Sequence, residues 1–294
     1  MHAAEYLDEQ KLKQTVCRLK AGHQYSELAA YLAGIATGGA PPHLLAKIHN
    51  ELGLAHLRLG DQDQAAEAFQ TASRHDPQAV NPLFNLGNVF LDTRRYDRAL
   101  SCYNAVLELD PDHAGARYHA GLCHAQAERP DEALDCFEQA ARLAPEAIGP
   151  LFWAAETLLA GGRYSRALPY FRKVLELEPR HRESRRGEAI CLLELKDYAA
   201  CIGHCDELIA SGGGSEYLAL RIKGDALIGL GHPRQAALCH CELARLDFDA
   251  RHYLALRSRE LARTSPAQAA VYEETVRECL NELDRDFLGI AFDC

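Results

Sequence analysis

The fold is decided by residues 86–111, which read LGNVFLDTRRYDRALSCYNAVLELDP. A Leu-Gly pair opens this stretch, Ala99 and Tyr103 lie inside it, and Pro111 closes it. The closing proline recurs at a constant interval along the chain, as Pro77, Pro111, Pro145 and Pro179. A fixed period of about 34 residues predicts a chain built from stacked structural repeats.

Three further columns keep the same period. They are a small column (Gly53, Gly87, Gly121, Ala155, Ala189), an alanine column (Ala65, Ala99, Ala133, Ala167, Cys201) and an aromatic column (Phe69, Tyr103, Phe137, Phe171, Cys205). A small residue on one helix and an alanine on the next allow the two helices to approach closely, and the aromatic ring fills the space between repeats. The proline begins the next unit because it cannot continue the preceding helix.

These columns resemble the motif of the tetratricopeptide repeat family, a helix-turn-helix unit with this period. The resemblance implies an all-α fold, an α-solenoid of stacked repeats in a right-handed superhelix, with helical caps at both ends. It places six repeats at 46–79, 80–113, 114–147, 148–181, 182–215 and 217–250. Residues 1–45 are then a degenerate N-terminal helical hairpin, and residues 251–294 are a C-terminal helical cap with an apolar tail that could dock on the last helices.

The pattern weakens in the fifth repeat. Gly213 stands where the proline is expected, and Gly224 and Ala236 fit the columns only if the register slips by one residue. The glycine-rich run 211–214 is therefore the predicted soft joint of the array. In the caps, helices are expected at about 3–20, 25–36, 251–263 and 266–283.

Composition narrows the class of protein. Of the 294 residues, 48% are hydrophobic, which is ample for a packed core. The formal net charge of -10 argues against a general nucleic-acid binder and against docking on an anionic membrane. No apolar run approaches the roughly 20 residues of a membrane-spanning helix, and no apolar signal core is present. The 11 cysteines suit reduced thiols better than a disulfide framework, so the sequence predicts a cytoplasmic protein.

No catalytic motif is present, since the sequence lacks a phosphate-binding loop, Gly-x-Ser-x-Gly and His-Glu-x-x-His. Cysteine and histidine do cluster in repeats five and six, at Cys201, His204, Cys205, Cys239, His240 and Cys241. Soft metals favour such ligands, but Cys201 and Cys205 stand in the core columns and no Cys-x-x-Cys occurs. Packing is the favoured interpretation, so we predict no enzyme activity, no cofactor and no metal. A metal- or thiol-dependent protein is the alternative.

The family resemblance also implies a binding surface. Its ligand contacts concentrate at fixed positions of the first helices, which line a concave face. Carried onto this sequence, the candidate partner-binding residues are Asn50, Phe84, Asn85, Asn88, Tyr118, His119, Phe152, Trp153, Arg186 and Arg221. Aromatic rings there offer apolar contact, and the amides can hydrogen-bond a peptide backbone. Because equal positions of stacked repeats become neighbours, the stripe of Phe84, Tyr118 and Phe152 should continue into Arg186 and Arg221.

The sequence therefore predicts a protein-interaction scaffold or adaptor that holds a peptide segment of a partner protein in its concave groove. The predicted segment is extended or helical, with an apolar part over the rings and an acidic part over the arginines. No nucleic-acid or membrane partner is expected. Incompletely capped solenoids can also stack on one another, so a self-associating structural protein is a third alternative.

Overall fold

Sixteen helices joined by short turns make up the regular structure that the computed structural model describes, over residues 9–36, 40–210, 212, 216–246 and 250–292. Side chains are described for these residues except 246, 250, 251 and 281–292. The helices are α1 (Glu9–Ala21), α2 (Tyr25–Ala36), α3 (Pro42–Leu59), α4 (Gln62–His75), α5 (Val80–Asp92), α6 (Tyr96–Leu109), α7 (Ala114–Gln126), α8 (Pro130–Leu143), α9 (Ile148–Ala160), α10 (Tyr164–Leu177), α11 (Arg182–Glu194), α12 (Tyr198–Ala210), α13 (Glu216–Gly229), α14 (Pro233–Leu246), α15 (Ala250–Thr264) and α16 (Pro266–Phe292). Within the described ranges there is no strand, and the predicted all-α fold of helical hairpins is confirmed.

The two ends of the chain differ slightly from the prediction. Helix α1 is described only from Glu9, and the expected start near residue 3 lies outside the described residues. At the other end α16 runs on to Phe292, so the predicted tail continues the helix instead of following it. The side chains of that tail, and the glycines at 213 and 214, lie outside the described residues.

The turn inside each of the six hairpins from α3–α4 to α13–α14 has the same backbone. One residue with positive φ stands at the same place in each: Gly60, Arg94, Glu128, Gly162, Lys196 and Gly231. The following N–H donates to the carbonyl five residues earlier, as Arg95 does to Phe90 at 2.7 Å. This left-handed cap ends the first helix and reverses the chain. Gly231 comes one position later than the period predicts from Lys196, which is the slip expected between repeats five and six.

Within a hairpin, the aromatic column lies directly on the small column. A Cβ atom added to Gly53 would lie 2.6 Å from the ring of Phe69, and one added to Gly121 would lie 2.6 Å from the ring of Phe137. Only glycine permits that approach, because any side chain would overlap the ring. Both rings are fully buried, so this contact closes these hairpins around a core of their own.

In the sixth hairpin His240 takes the place of the aromatic residue. Its ring is fully buried and lies on Gly224, where an added Cβ atom would overlap the imidazole. Counted from Cys205, it stands one position later than the period predicts, as the register slip requires. The aromatic column therefore extends one repeat further than the sequence pattern suggested, with an ionisable ring at its end.

By its internal contacts the chain divides into two units, residues 1–150 and residues 151–294. In the first unit, α1 and α2 bury leucines such as Leu28 and Leu32 against Ile48 of α3. In the second unit, one core surrounds Cys201 and Leu208, and another joins α13 to α16. The finer division into an N-terminal hairpin, six repeats and a C-terminal cap remains a prediction. No helix among the described residues is both long and apolar enough to cross a membrane.

A buried polar contact joins α16 to the sixth hairpin of the second unit. The hydroxyl of Tyr272 lies 2.8 Å from Nδ1 of His240, and Nε2 of His240 lies 3.3 Å from the backbone carbonyl of Arg221. The carbonyl can only accept, so Nε2 carries the proton and Nδ1 accepts from the tyrosine. Both side chains are fully buried. The neutral imidazole thus satisfies two polar groups at once.

Beside this contact, helix α15 is tied to α13 through one carboxylate. Asp225 accepts a hydrogen bond from the hydroxyl of Tyr253 at 2.7 Å and lies 2.8 Å from Nε of Arg257. Nε2 of His240 is 3.8 Å from the same carboxylate. Burial lowers the pKa of His240, and Asp225 opposes this shift only in part. A charged imidazole is therefore disfavoured in the folded chain.

We predict that Ala133→Leu destabilises the protein. Ala133 is fully buried where α8 meets α7, and extra methyl groups there overpack the contact at a cost of about 1–3 kcal/mol. Urea denaturation followed by circular dichroism measures the loss. Ala30→Leu on the exposed side of α2 is the matched control and should leave the midpoint unchanged. An unchanged midpoint for Ala133→Leu would show that the alanine column is not a close contact.

We also predict that His240 weakens the fold in mild acid. Since its pKa is lowered on folding, its stabilising contribution is complete above the unfolded pKa of about 6.5 and is lost as the pH falls below that value. His240→Phe restores the usual column residue and removes this titration. From about pH 7 to pH 5, the free energy of unfolding should fall by about 1 kcal/mol more in wild type than in the variant.

Denaturation of both proteins at the two pH values makes the comparison. His252→Gln, which changes an exposed histidine of α15, serves as the control and should keep the pH dependence of wild type. Equal losses in wild type and His240→Phe would show that His240 does not titrate between the two states.

Candidate functional site

The candidate residues lie on the first helices of the hairpins, and we call this surface the first-helix face. In the first unit it comprises α3, α5 and α7, and in the second unit the part of α9 from residue 151 with α11 and α13. The six candidates of the first unit are all half-buried: Asn50, Phe84, Asn85, Asn88, Tyr118 and His119. Of the four in the second unit, Trp153 is exposed, and Phe152, Arg186 and Arg221 are half-buried.

Three amides on the face of the first unit are each half used. Asn85 donates a hydrogen bond from Nδ2 to Oδ1 of Asn50 at 2.9 Å, and Tyr103 donates its hydroxyl to Oδ1 of Asn88 at 2.8 Å. Within the described residues, the Nδ2 groups of Asn50 and Asn88 and Oδ1 of Asn85 make no further hydrogen bond. The face thus offers two donors and one acceptor on amides whose other halves are held by the protein.

The aromatic residues of the first unit have a packing role as well as an exposed edge. The ring centroid of Phe84 lies 5.9 Å from that of Tyr103 and 5.0 Å from that of His113. The ring centroid of Tyr118 lies 6.0 Å from that of Phe137 and 5.2 Å from that of His119. Phe84 and Tyr118 therefore each pack against the aromatic-column residue of their own repeat. Only part of the predicted stripe remains for a ligand.

His119 lies at the centre of this cluster. Its ring is 5.4 Å from that of Phe84 and 5.7 Å from that of Tyr103, and Nδ1 is buried with no hydrogen-bond partner among the described residues. Burial lowers its pKa, so the imidazole is neutral at pH 7. A neutral, half-buried ring of this kind extends the aromatic surface and leaves one nitrogen unsatisfied.

Phe152 and Trp153 are neighbours on α9 in the second unit. Phe152 lies 6.5 Å from Phe171 and 5.0 Å from His181 by ring centroids, so it repeats the packing of Phe84. Trp153 meets Phe152 edge to face at 5.8 Å and keeps 36% of its surface exposed. It is the single tryptophan of the chain, which makes it a spectroscopic reporter on this face.

The two candidate arginines already have neighbours. Nη2 of Arg186 lies 3.7 Å from Oε2 of Glu156, and the guanidinium of Arg221 lies 6.0 Å from the ring centroid of Tyr253. Burial raises the pKa of Glu156, while Arg186 lowers it. The charge of Arg186 is therefore partly balanced by Glu156, which the sequence did not suggest.

Other basic residues near α11 are paired too. Arg172 binds the buried carboxylate of Glu188 at 2.9 Å, and Arg185 lies 2.7 Å from Glu207. His204, which the sequence grouped with two cysteines, lies 3.5 Å from Glu188. Arg172 and Arg185 are therefore engaged in ion pairs, as Arg186 is.

The cysteines of repeats five and six are part of the core. Cys201 and Cys205 are fully buried, and the thiol of Cys201 donates to the carbonyl of Ala189 at 3.3 Å. Burial raises the pKa of Cys239, and it raises that of Cys191 to about 12. Thiols with raised pKa values are poor nucleophiles and poor metal ligands at neutral pH. Among the described residues no three Cys, His, Asp or Glu side chains are grouped as metal ligands.

Two features of the face were not predicted. The rings of Phe84 and Tyr118 lie over Gly115 and Gly149, where added Cβ atoms would be 3.5 Å and 3.1 Å away. These two glycines are one repeat period apart, so the sequence periodicity could have predicted this contact. The pairing of Glu156 had no such signal, because a contact between successive repeats depends on their relative rotation.

Comparison with known proteins agrees with this architecture. The tetratricopeptide repeat profile matches residues 50–97, 84–148 and 154–216, which together are more than half of the chain. YrrB, described as a TPR protein with an unusual peptide-binding site, is 26% identical in sequence with a TM-score of 0.62, and the match covers 67% of this chain and 100% of YrrB. No curated protein matches the sequence.

Two more distant structures share the fold. A tetratricopeptide repeat protein from Parabacteroides merdae is 16% identical with a TM-score of 0.57, over 81% of this chain and 93% of its own. PilF of Pseudomonas aeruginosa is 23% identical with a TM-score of 0.52, over 79% of this chain and 97% of its own.

Fold and surface together define a repeat scaffold for protein interaction, a class that is typically non-enzymatic. The chain belongs to the tetratricopeptide repeat family.

Proposed function

We propose that this protein is an adaptor that binds an extended segment of a partner protein along the first-helix face of its first unit. The observation that carries the proposal is the set of half-used amides of Asn50, Asn85 and Asn88 beside the edges of Phe84 and Tyr118. An extended peptide presents alternating N–H and C=O groups. A peptide N–H can donate to Oδ1 of Asn85, and peptide carbonyls can accept from Nδ2 of Asn50 and Asn88.

The energetics favour such a ligand. Each amide is held by a bond within the protein, so little side-chain freedom is lost when its other half binds a peptide group. The ring edges add apolar contact, and aromatic residues commonly dominate the affinity of protein interfaces. YrrB, the structure similar over its whole length, is described as having a peptide-binding site, which supports the proposal.

The proposal keeps the remaining predictions made from the sequence. We propose a protein partner, no nucleic acid, no membrane, no cofactor and no catalytic role, in a cytoplasmic setting. The metal or thiol alternative is not favoured, because the cysteines of repeats five and six are packed and the pKa of Cys239 is raised. Self-association stays a prediction.

We predict that Asn85→Ala weakens peptide binding. Peptides selected from a random phage-displayed library on the wild-type chain are the probe, and calorimetry gives their affinities. The variant loses Oδ1 of Asn85 as an acceptor and the hydrogen bond that holds Asn50, so the binding free energy should weaken by about 1–2 kcal/mol. Tyr118→Ala should cost about 1–3 kcal/mol, because it removes ring contact.

Asn104→Ala is the matched control, since this exposed asparagine lies on the second helix α6. It should bind like wild type, and all three variants should keep the helical circular dichroism signal. If the selected peptides bind Asn85→Ala and Tyr118→Ala as well as wild type, they use another surface and the proposal fails.

A further inference from the structure

Glu156, on the first-helix face of the second unit, carries a polar atom that lacks a hydrogen-bond partner. Oε1 of Glu156 is buried and makes no hydrogen bond within the described residues, while Oε2 lies 3.7 Å from Nη2 of Arg186. The side chain of Glu156 as a whole is 24% exposed, so an incoming group can reach the carboxylate once it rotates about its last side-chain bond. A buried carboxylate oxygen without a donor is costly, so a group that donates a hydrogen bond to it would be favoured there.

We propose that Glu156 and Trp153 bind a basic side chain, lysine or arginine, of the partner segment. The inference rests on the proposed function in assuming that the partner meets the first-helix face. The inference adds that the part of the partner segment that contacts the second unit carries a basic side chain.

The geometry of α9 brings the two groups together. Trp153 precedes Glu156 by three residues, a spacing that puts both side chains on one side of the helix. The indole meets the ring of Phe152 at an interplanar angle of 70° and keeps 36% of its surface exposed, and a cation can bind against that exposed part of the ring. A cation held there can also donate to the unpartnered carboxylate oxygen, which forms a charge-assisted hydrogen bond.

The surrounding charges favour a cation over an anion. Glu183 faces the same carboxylate and further raises the pKa of Glu156, whereas Arg186 and His181 lower it. An acidic ligand would compete with Glu156 for Arg186 and would add a negative charge beside Glu156 and Glu183. A basic ligand leaves the Arg186 contact in place, because a carboxylate can accept on both oxygens. The net charge of -10 also attracts basic segments at long range.

This conclusion differs from the acidic segment expected from the sequence. That expectation counted Arg186 as unpaired, and its nearest carboxylate is supplied by the preceding repeat. The two ideas make opposite forecasts for the composition of selected ligands, and one experiment separates them.

The experiment uses the full chain as bait for a random phage-displayed peptide library. Enriched peptides are synthesised without tryptophan and titrated against wild type and Glu156→Gln, with the fluorescence of Trp153 as the signal. We expect enriched peptides to share a lysine or arginine. We expect its replacement by methionine, or Glu156→Gln in the protein, to weaken binding roughly tenfold. The two changes together should weaken binding little more than either alone, because they remove one interaction.

Glu176→Gln is the matched control, since it removes an exposed carboxylate from the second helix α10 and should leave binding unchanged. Circular dichroism confirms that each variant is folded. Enrichment of acidic peptides, or equal binding by wild type and Glu156→Gln, overturns the inference. If the enriched peptides lose affinity for Asn85→Ala but not for Glu156→Gln, the proposed function stands and the inference fails. If no peptide is enriched, both fail.

Discussion

The contact on which the structure depends is the ring that lies on a glycine inside a hairpin. At Gly53 and Phe69 the first helix presents bare backbone, so the ring of the second helix approaches closer than any side chain would permit. That distance sets how the two helices cross, and the crossing sets where the next hairpin packs. His240 over Gly224 shows that shape matters more than residue type at this place, since an imidazole fills the same space.

The same constraint shapes the candidate binding surface. Because Phe84 and Phe152 lean on the aromatic column, their rings are fixed in place and show only part of their surface on the first-helix face. In our proposal, specificity comes from polar groups that the packing leaves half satisfied, Asn85 in the first unit and Glu156 in the second. A fixed ring with a polar neighbour loses little entropy on binding, which suits a scaffold that recognises a short segment.

The sequence predicted the fold well because equivalent packing positions in successive repeats recur at a constant interval along the chain. Turns such as that at Arg94 follow the same period as the prolines, and the slip before Gly231 was visible in Gly224. The site was harder to predict, because it depends on contacts between residues of different repeats. Arg186 looked unpaired until the structure put Glu156 beside it. The role of His240 was missed because the residue was grouped with the neighbouring cysteines as a possible metal ligand.

The central claim is that the partner segment lies across the first helices. Photo-crosslinking tests it most directly, with a benzophenone placed at successive positions of a library-selected peptide and the attachment sites mapped by mass spectrometry. Attachment should fall on first helices of the unit that the peptide contacts, α5 and α7 in the first unit or α9 in the second. Attachment confined to second helices such as α6, α8 and α10 would contradict the account.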